Sequence, residues 1–246
     1  MRNFWLIWKE DLWNLFKNPM WVFYGTLFPI LLVVILGFLG KDSYGRVITS
    51  YDFYGITLMI YAVLLSGMTS ANAFMEERIR KANMRIIYAP GQERVIYLAK
   101  IVSSFLFCAL CHLFDMILLF SIFHVHITAL PQLLMLFILT EIFANSLGVM
   151  FCCIFKTEAM ANQILSIFIN LFAIFGGLMF PMDGYGKAVR MISYLSPAKW
   201  IAKATFGMIY DYDYLWFTPV VIGMAVSIGI VLFVCDKTFR KEDCIC

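Results

Sequence analysis

The sequence predicts an all-α membrane protein with an N-terminal amphipathic interfacial helix, six transmembrane helices, and outer re-entrant helices between spans 5 and 6. Composition is the first reason. Of 246 residues, 62% are hydrophobic and only 14% charged, whereas soluble domains carry about 25% charged residues. The mean hydropathy of +0.83 excludes an ordinary soluble enzyme domain. The second reason is spacing. Apolar runs recur at 21–39, 53–74, 100–123, 132–155, 160–180 and 215–235, each long enough to cross a hydrocarbon core of about 30 Å at about 1.5 Å per residue. The third is the placing of Lys and Arg, which concentrate on alternate connections and so define two sides.

Residues 1–19 come first. Phe4, Trp5, Trp8, Leu12, Leu15 and Phe16 fall at helical spacing with Lys9, Glu10, Asp11 and Lys17 between them. That pattern predicts a helix lying in the membrane interface with its Trp residues at headgroup level. Asn18-Pro19 ends it. Thirteen of the 19 Lys and Arg then lie in 2–17, 76–100, at 156 and in 237–241, and six in 41–46 and 187–203. Positive residues favour the cytoplasm, so both termini are expected inside a cell membrane.

Two connections stand apart from the spans. Residues 75–94 form a charged cytoplasmic segment, Met75-Glu76-Glu77-Arg78-Ile79-Arg80-Lys81, closed by the breaker Ala89-Pro90-Gly91. Residues 181–214 follow a Gly176-Gly177 and Pro181 break and hold Pro197, Trp200, Phe206, Tyr210, Tyr212 and Tyr214. Aromatic density of this kind suits a membrane interface and predicts short helices dipping back into the outer leaflet. The chain 1–246 therefore reads as a single transmembrane domain.

The net charge of +3 is too dispersed for a nucleic-acid footprint, so no nucleic-acid partner is expected. Seven cysteines, odd in number and absent from the outer connections, do not make a disulfide framework. Cys108-Ala109-Leu110-Cys111-His112 matches a haem-attachment pattern but lies inside the third span, so it is expected to pack rather than carry haem. His124-Val125-His126 reads as a solvated pair, and no metal is expected. Asp115 and Glu141 sit about 12–14 Å deep in neighbouring spans, with His112 one turn from Asp115 and Asn145 four residues from Glu141. Intramembrane carboxylates face a bundle interior or a wet cavity. These four residues are either packing glue or a polar patch on a substrate route.

In this order the motifs resemble those of the permease subunits of type 2 ATP-binding-cassette (ABC-2) exporters. The residues that carry the resemblance are Lys17-Asn18-Pro19, Phe28-Pro29, Ala73-Phe74-Met75-Glu76-Glu77-Arg78, Ala89-Pro90, Tyr97-Leu98 with Lys100, Phe180-Pro181, and Leu195-Ser196-Pro197-Ala198-Lys199-Trp200. The resemblance implies a half-transporter in which two such chains, identical or paralogous, pair in the lipid above separate ABC ATPase subunits. It makes 75–94 the coupling element, with Glu77-Arg78 matching a family Glu-Arg pair, Glu76 close beside it and Arg80 one turn on. Lys81-Ala82-Asn83 stands where the family usually has Gly-Thr.

No G-x-x-x-x-G-K-[ST] phosphate loop exists in the chain: Gly184-Tyr185-Gly186-Lys187 is followed by Ala188. ATP and Mg are therefore expected on the partner subunit and no cofactor in this chain. The function expected is outward movement of an amphipathic compound, such as a drug, an antimicrobial peptide or a lipid-like molecule. The alternatives are a secondary carrier and an intramembrane metalloprotease assembled from Glu76-Glu77, His112, His124 and Glu141, whose residues disagree in depth.

Overall fold

The first helix, α1 (Arg2–Lys17), is amphipathic, and the stripe it buries holds polar as well as apolar side chains. Leu15 and Asp11 are buried together with Asn18, while Trp5, Trp13 and Phe16 are exposed. Its inner stripe packs on the third span, and Trp5 and Trp13 are left open to lipid. This comes from a computed structural model that describes residues 2–45, 48–75, 93–125, 129–182 and 186–240.

The second helix, α2 (Pro19–Leu39), opens with Pro19 in its first turn, where a missing N–H costs nothing. The Asn18 side chain accepts from the Met20 N–H at 3.1 Å. Pro29, inside the span, removes an interior donor. The turn before it widens into a π stretch, Phe23–Leu27, with the Phe28 N–H bonding to the Phe23 carbonyl.

Four further long helices follow: α3 (Ser50–Met75), α4 (Glu93–Phe123), α5 (Leu130–Phe155) and α6 (Glu158–Phe175). Two short helices, α7 (Lys187–Ser193) and α8 (Pro197–Phe206), precede the last long one, α9 (Phe217–Thr238). Among the described residues six helices are long and apolar enough to cross a membrane, and their bounds follow the six apolar runs.

Cross-links define the two ends of the bundle. At one end the Arg94 guanidinium meets Asp236 at 2.6 Å and Lys156 Nζ donates to the Thr238 carbonyl at 3.1 Å. This terminal end holds the start of α4, the end of α5 and the end of α9. At the far end Tyr51 stacks on Phe123 at 4.8 Å and Phe53 on Phe206 at 5.7 Å.

Helix α3 is the central element, with most of its length buried, whereas α2, α6 and α9 show mostly exposed flanks. Small residues let α3 and α5 cross closely. A Cβ on Gly67 would lie 2.7 Å from the Ala144 carbonyl oxygen, and one on Gly148 would overlap the Gly67 carbonyl. Lipid offers no hydrophobic contrast between helices, so such backbone approach and polar contacts drive their association.

Candidate functional site

The polar residues at the middle of α4 and α5 meet inside the bundle. His112 Nδ1 lies 2.9 Å from Glu141 Oε2, both side chains being almost completely buried. Asn145 Nδ2 donates to the Glu141 carbonyl at 2.8 Å and to Ser66 Oγ at 3.0 Å. Three helices are therefore tied through one chain of side chains, from α4 through α5 to α3. Their helical spacing explains this, since residues four apart on α5 share a face. The ring of His112 is committed to Glu141, and Cys108 and Cys111 of the haem-like pattern are buried free thiols.

Asp115 behaves differently. It is fully buried on the same face of α4, yet neither carboxylate oxygen has a hydrogen-bond partner among the described residues. A buried polar group left unpaired is costly, so Asp115 is the member of this group whose local packing does not account for it.

The second expected site, between α6 and α9, is built on glycine. Gly176 lies at the end of α6, where a Cβ would come 2.7 Å from that of Ala198 and 3.1 Å from the Lys199 nitrogen. Its bare Cα lets α8 seat on α6. The Ser196 hydroxyl donates to the Phe172 carbonyl at 2.7 Å, Pro197 occupies the first turn of α8, and Trp200 Nε1 donates to the Tyr194 carbonyl at 2.8 Å. Ala198, Ile201, Ala202, Ala204 and Thr205 are buried, so α8 is sunk into the far end of the bundle. Pro181 lines a cavity beneath it.

The third site, Glu76, Glu77, Arg78 and Arg80, lies outside the described residues, as does His126. Its flanks are described. Lys100, on α4 just beyond that segment, is 1% exposed. Its ammonium lies 3.3 Å from Asp11 Oδ2, donates to the Ala73 carbonyl at 3.3 Å, and sits 5.9 Å from the centre of the Phe74 ring. One lysine thus joins α1, the end of α3 and the start of α4. Burial pushes the Asp11 carboxyl above its ordinary pKa, with the Lys100 ammonium pulling the other way. Sequence reasoning read Asp11 as part of the polar face of an interfacial helix. The available signal was the Asp11, Leu15, Asn18 stripe, one turn apart at each step.

A helical bundle with six candidate spans among the described residues, a packed N-terminal helix and a paired-helix insert before the last span is the architecture of a multi-pass membrane domain. The family model for ABC-2 type transporter matches residues 2–210. The chain belongs to the ABC-2 type transporter family, a family of multi-pass transport permeases that work with an ABC ATPase subunit. Comparison with curated proteins finds no significant match.

Proposed function

We infer that this chain is the membrane-spanning subunit of an ATP-driven exporter, with a separate subunit hydrolysing the nucleotide and a second permease chain completing the path. The observation that carries this reading is the family match over 2–210 in a chain whose sequence has no phosphate loop. The ATPase docks at the terminal end, where the start of α4 and the ends of α5 and α9 meet, on the cytoplasmic side of a cell membrane. Segment 75–94 receives its motion through Glu76, Glu77, Arg78 and Arg80.

The flanks of that segment suit the task. Met75 closes α3 and Glu93 opens α4, and Lys100 clamps the two helices to each other and to α1. A push on the segment moves three helices as one body. The His112, Glu141, Asn145 and Ser66 chain carries the same displacement to α5. These residues act as a fixed polar clasp, whereas Asp115 is the candidate for the substrate route. Helix α8, with Pro181, Pro197 and Trp200, forms the outer re-entrant element, and an amphipathic substrate leaves beside it into the outer leaflet.

Reconstitution in vesicles with and without the ATPase subunit tests the reading. The chain alone is expected to leave ATP intact, and turnover with substrate movement is expected only for the complex. ATP turnover by the isolated, contamination-free chain overturns the half-transporter. Within the complex, Glu77→Ala is expected to lower transport and stimulated turnover more than abundance. Asp115→Asn is expected to assemble normally and transport poorly, and full activity removes it from the route.

A further inference from the structure

Three aromatic rings at the far end of the bundle gather on one ammonium. Lys203 Nζ lies 3.9 Å from the centre of the Trp216 ring, 5.8 Å from that of Tyr194 and 5.9 Å from that of Trp200. All three fall within about 6 Å, the range in which a ring attracts a cation. The rings also hold one another, Tyr194 against Trp200 at 5.2 Å and Trp200 against Trp216 at 5.1 Å. The Trp200 indole is fixed by donating to the Tyr194 carbonyl. This is an aromatic cage, and its occupant is a side chain of the same protein.

A primary ammonium fits such a cage poorly. It is compact and strongly hydrated, so rings that strip its water offset only part of that cost. A quaternary ammonium has no N–H to leave unpaired, and aromatic cages recognise it. Among the described residues no carboxylate forms an ion pair with Lys203, so the rings are what hold it. Its stem is flexible, and it lines a cavity of about 460 Å³ together with Asp211 and Asp213, toward which it can turn. Net charge does not choose the ligand there: with Lys199 already partnered, Arg190 and Lys203 stand against those two carboxylates. The rings make the choice.

Trp200 and Trp216 also line a second cavity, of about 560 Å³, with no charged residue in its lining. Its hydroxyl, that of Ser227, is spent on the Gly223 carbonyl at 2.8 Å. The cavity follows α9 from Trp216 to Ser227, about 16 Å at helical rise and close to half of a hydrocarbon core of about 30 Å. Such a space suits one extended alkyl chain.

We propose that Tyr194, Trp200 and Trp216 form a binding site for a single-chain quaternary ammonium amphiphile, whose headgroup displaces Lys203 from the rings and whose alkyl chain lies in the apolar cavity. Lys203 is a tethered competitor that keeps the cage filled until such a ligand arrives. Treating the ligand as cargo names a substrate class for the exporter and rests on that reading. The site itself needs neither ATPase nor nucleotide, so binding tests it separately.

The full chain, purified in maltoside micelles, is titrated calorimetrically with hexyltrimethylammonium, hexylammonium and hexanol, with protein-free micelles as the blank. The quaternary compound is expected to bind tightest, at one site per chain. Lys203→Gln is expected to bind it about threefold tighter or more because the competitor is gone, and Trp216→Leu about fivefold weaker or more. Gly223→Phe adds a side chain at a cavity-lining position where nothing lies within 4 Å of a built Cβ. It is expected to fold as a monodisperse protein and to erase the advantage of hexyltrimethylammonium over tetramethylammonium. An affinity unchanged or lowered in Lys203→Gln overturns the proposal, as does equal binding of hexanol. Equal competition by dihexanoylphosphatidylcholine also overturns it, in favour of a lipid headgroup. Binding without ATP-driven movement of the probe by the complex with its ATPase removes the compound as cargo and leaves the site.

Discussion

Asp11 and Lys100 show how a residue's role depends on what its helix packs against. On an isolated amphipathic helix an aspartate beside Lys9 and Glu10 belongs to the wet face. Here α1 lies along α4, with Asp11 meeting Lys100 and Phe16 meeting Phe107 at 5.0 Å. The folded-state pKa of Asp11 is raised, so the folded state holds its proton more tightly than the unfolded one. This contribution to stability therefore declines as pH rises from the ordinary carboxylate value through the raised one. Removing Lys100 alone leaves a buried carboxylate with no counter-charge. Lys100→Met is expected to cost about 3–5 kcal/mol, read as a lower unfolding midpoint in detergent, while Asp11→Leu/Lys100→Met returns close to wild type. A single variant as stable as the parent rules out the clamp. The pairing could not be read from sequence because it joins residues far apart in the chain. The contact between His112 and Glu141 was closer to legible, since depth counted from the span ends put Glu141 level with Asp115, one turn from His112. The partner of Asn145 on α3 and the isolation of Asp115 depend on helix rotation, which hydropathy does not encode.

At the level of helices, hydropathy carried most of the information. The apolar runs located all six spans, and the Pro and Gly breaks located the insert before α9. What they could not give was neighbour order. The closest crossing, α3 on α5, depends on Gly67, Ala144 and Gly148, and small residues inside an apolar run look alike wherever they face. Gly148→Val is expected to lower stability by about 1–3 kcal/mol or more, because the new side chain overlaps the Gly67 carbonyl. Gly223→Val on α9 is the matched control, with open space around its Cβ. Thermal unfolding of the two variants in the same detergent should separate them, and equal midpoints would contradict the close crossing.

At the scale of the molecule, the links from Arg94 to Asp236 and from Lys156 to Thr238 gather the start of α4 and the ends of α5 and α9 at one end of the bundle. Sidedness then follows from charge. Cysteines introduced at the exposed positions Ser43 and Lys187 are expected to react with an impermeant thiol reagent added to intact cells, in a background lacking other reactive thiols. Ones at Lys81 and Thr157 are expected to react only after permeabilisation. Labelling at Lys81 from outside inverts the orientation and moves the ATPase to the other end. The exposed apolar flanks of α2, α6 and α9, among them Leu31, Ile167, Ile222 and Phe233, give the molecule the apolar outer surface that a bilayer requires.

The clamp at Lys100 also bears on how the protein is made. Asp11 leaves the ribosome early, and its counter-ion follows only after the first two spans have been synthesised. At about 5–20 residues per second the interval lasts several seconds. Throughout it α1 must wait at the membrane surface, held by its tryptophans, with an acid it has no means of burying. Docking of α1 is therefore a late event that reports insertion of the third span, and a chain stalled before Lys100 carries its first helix undocked.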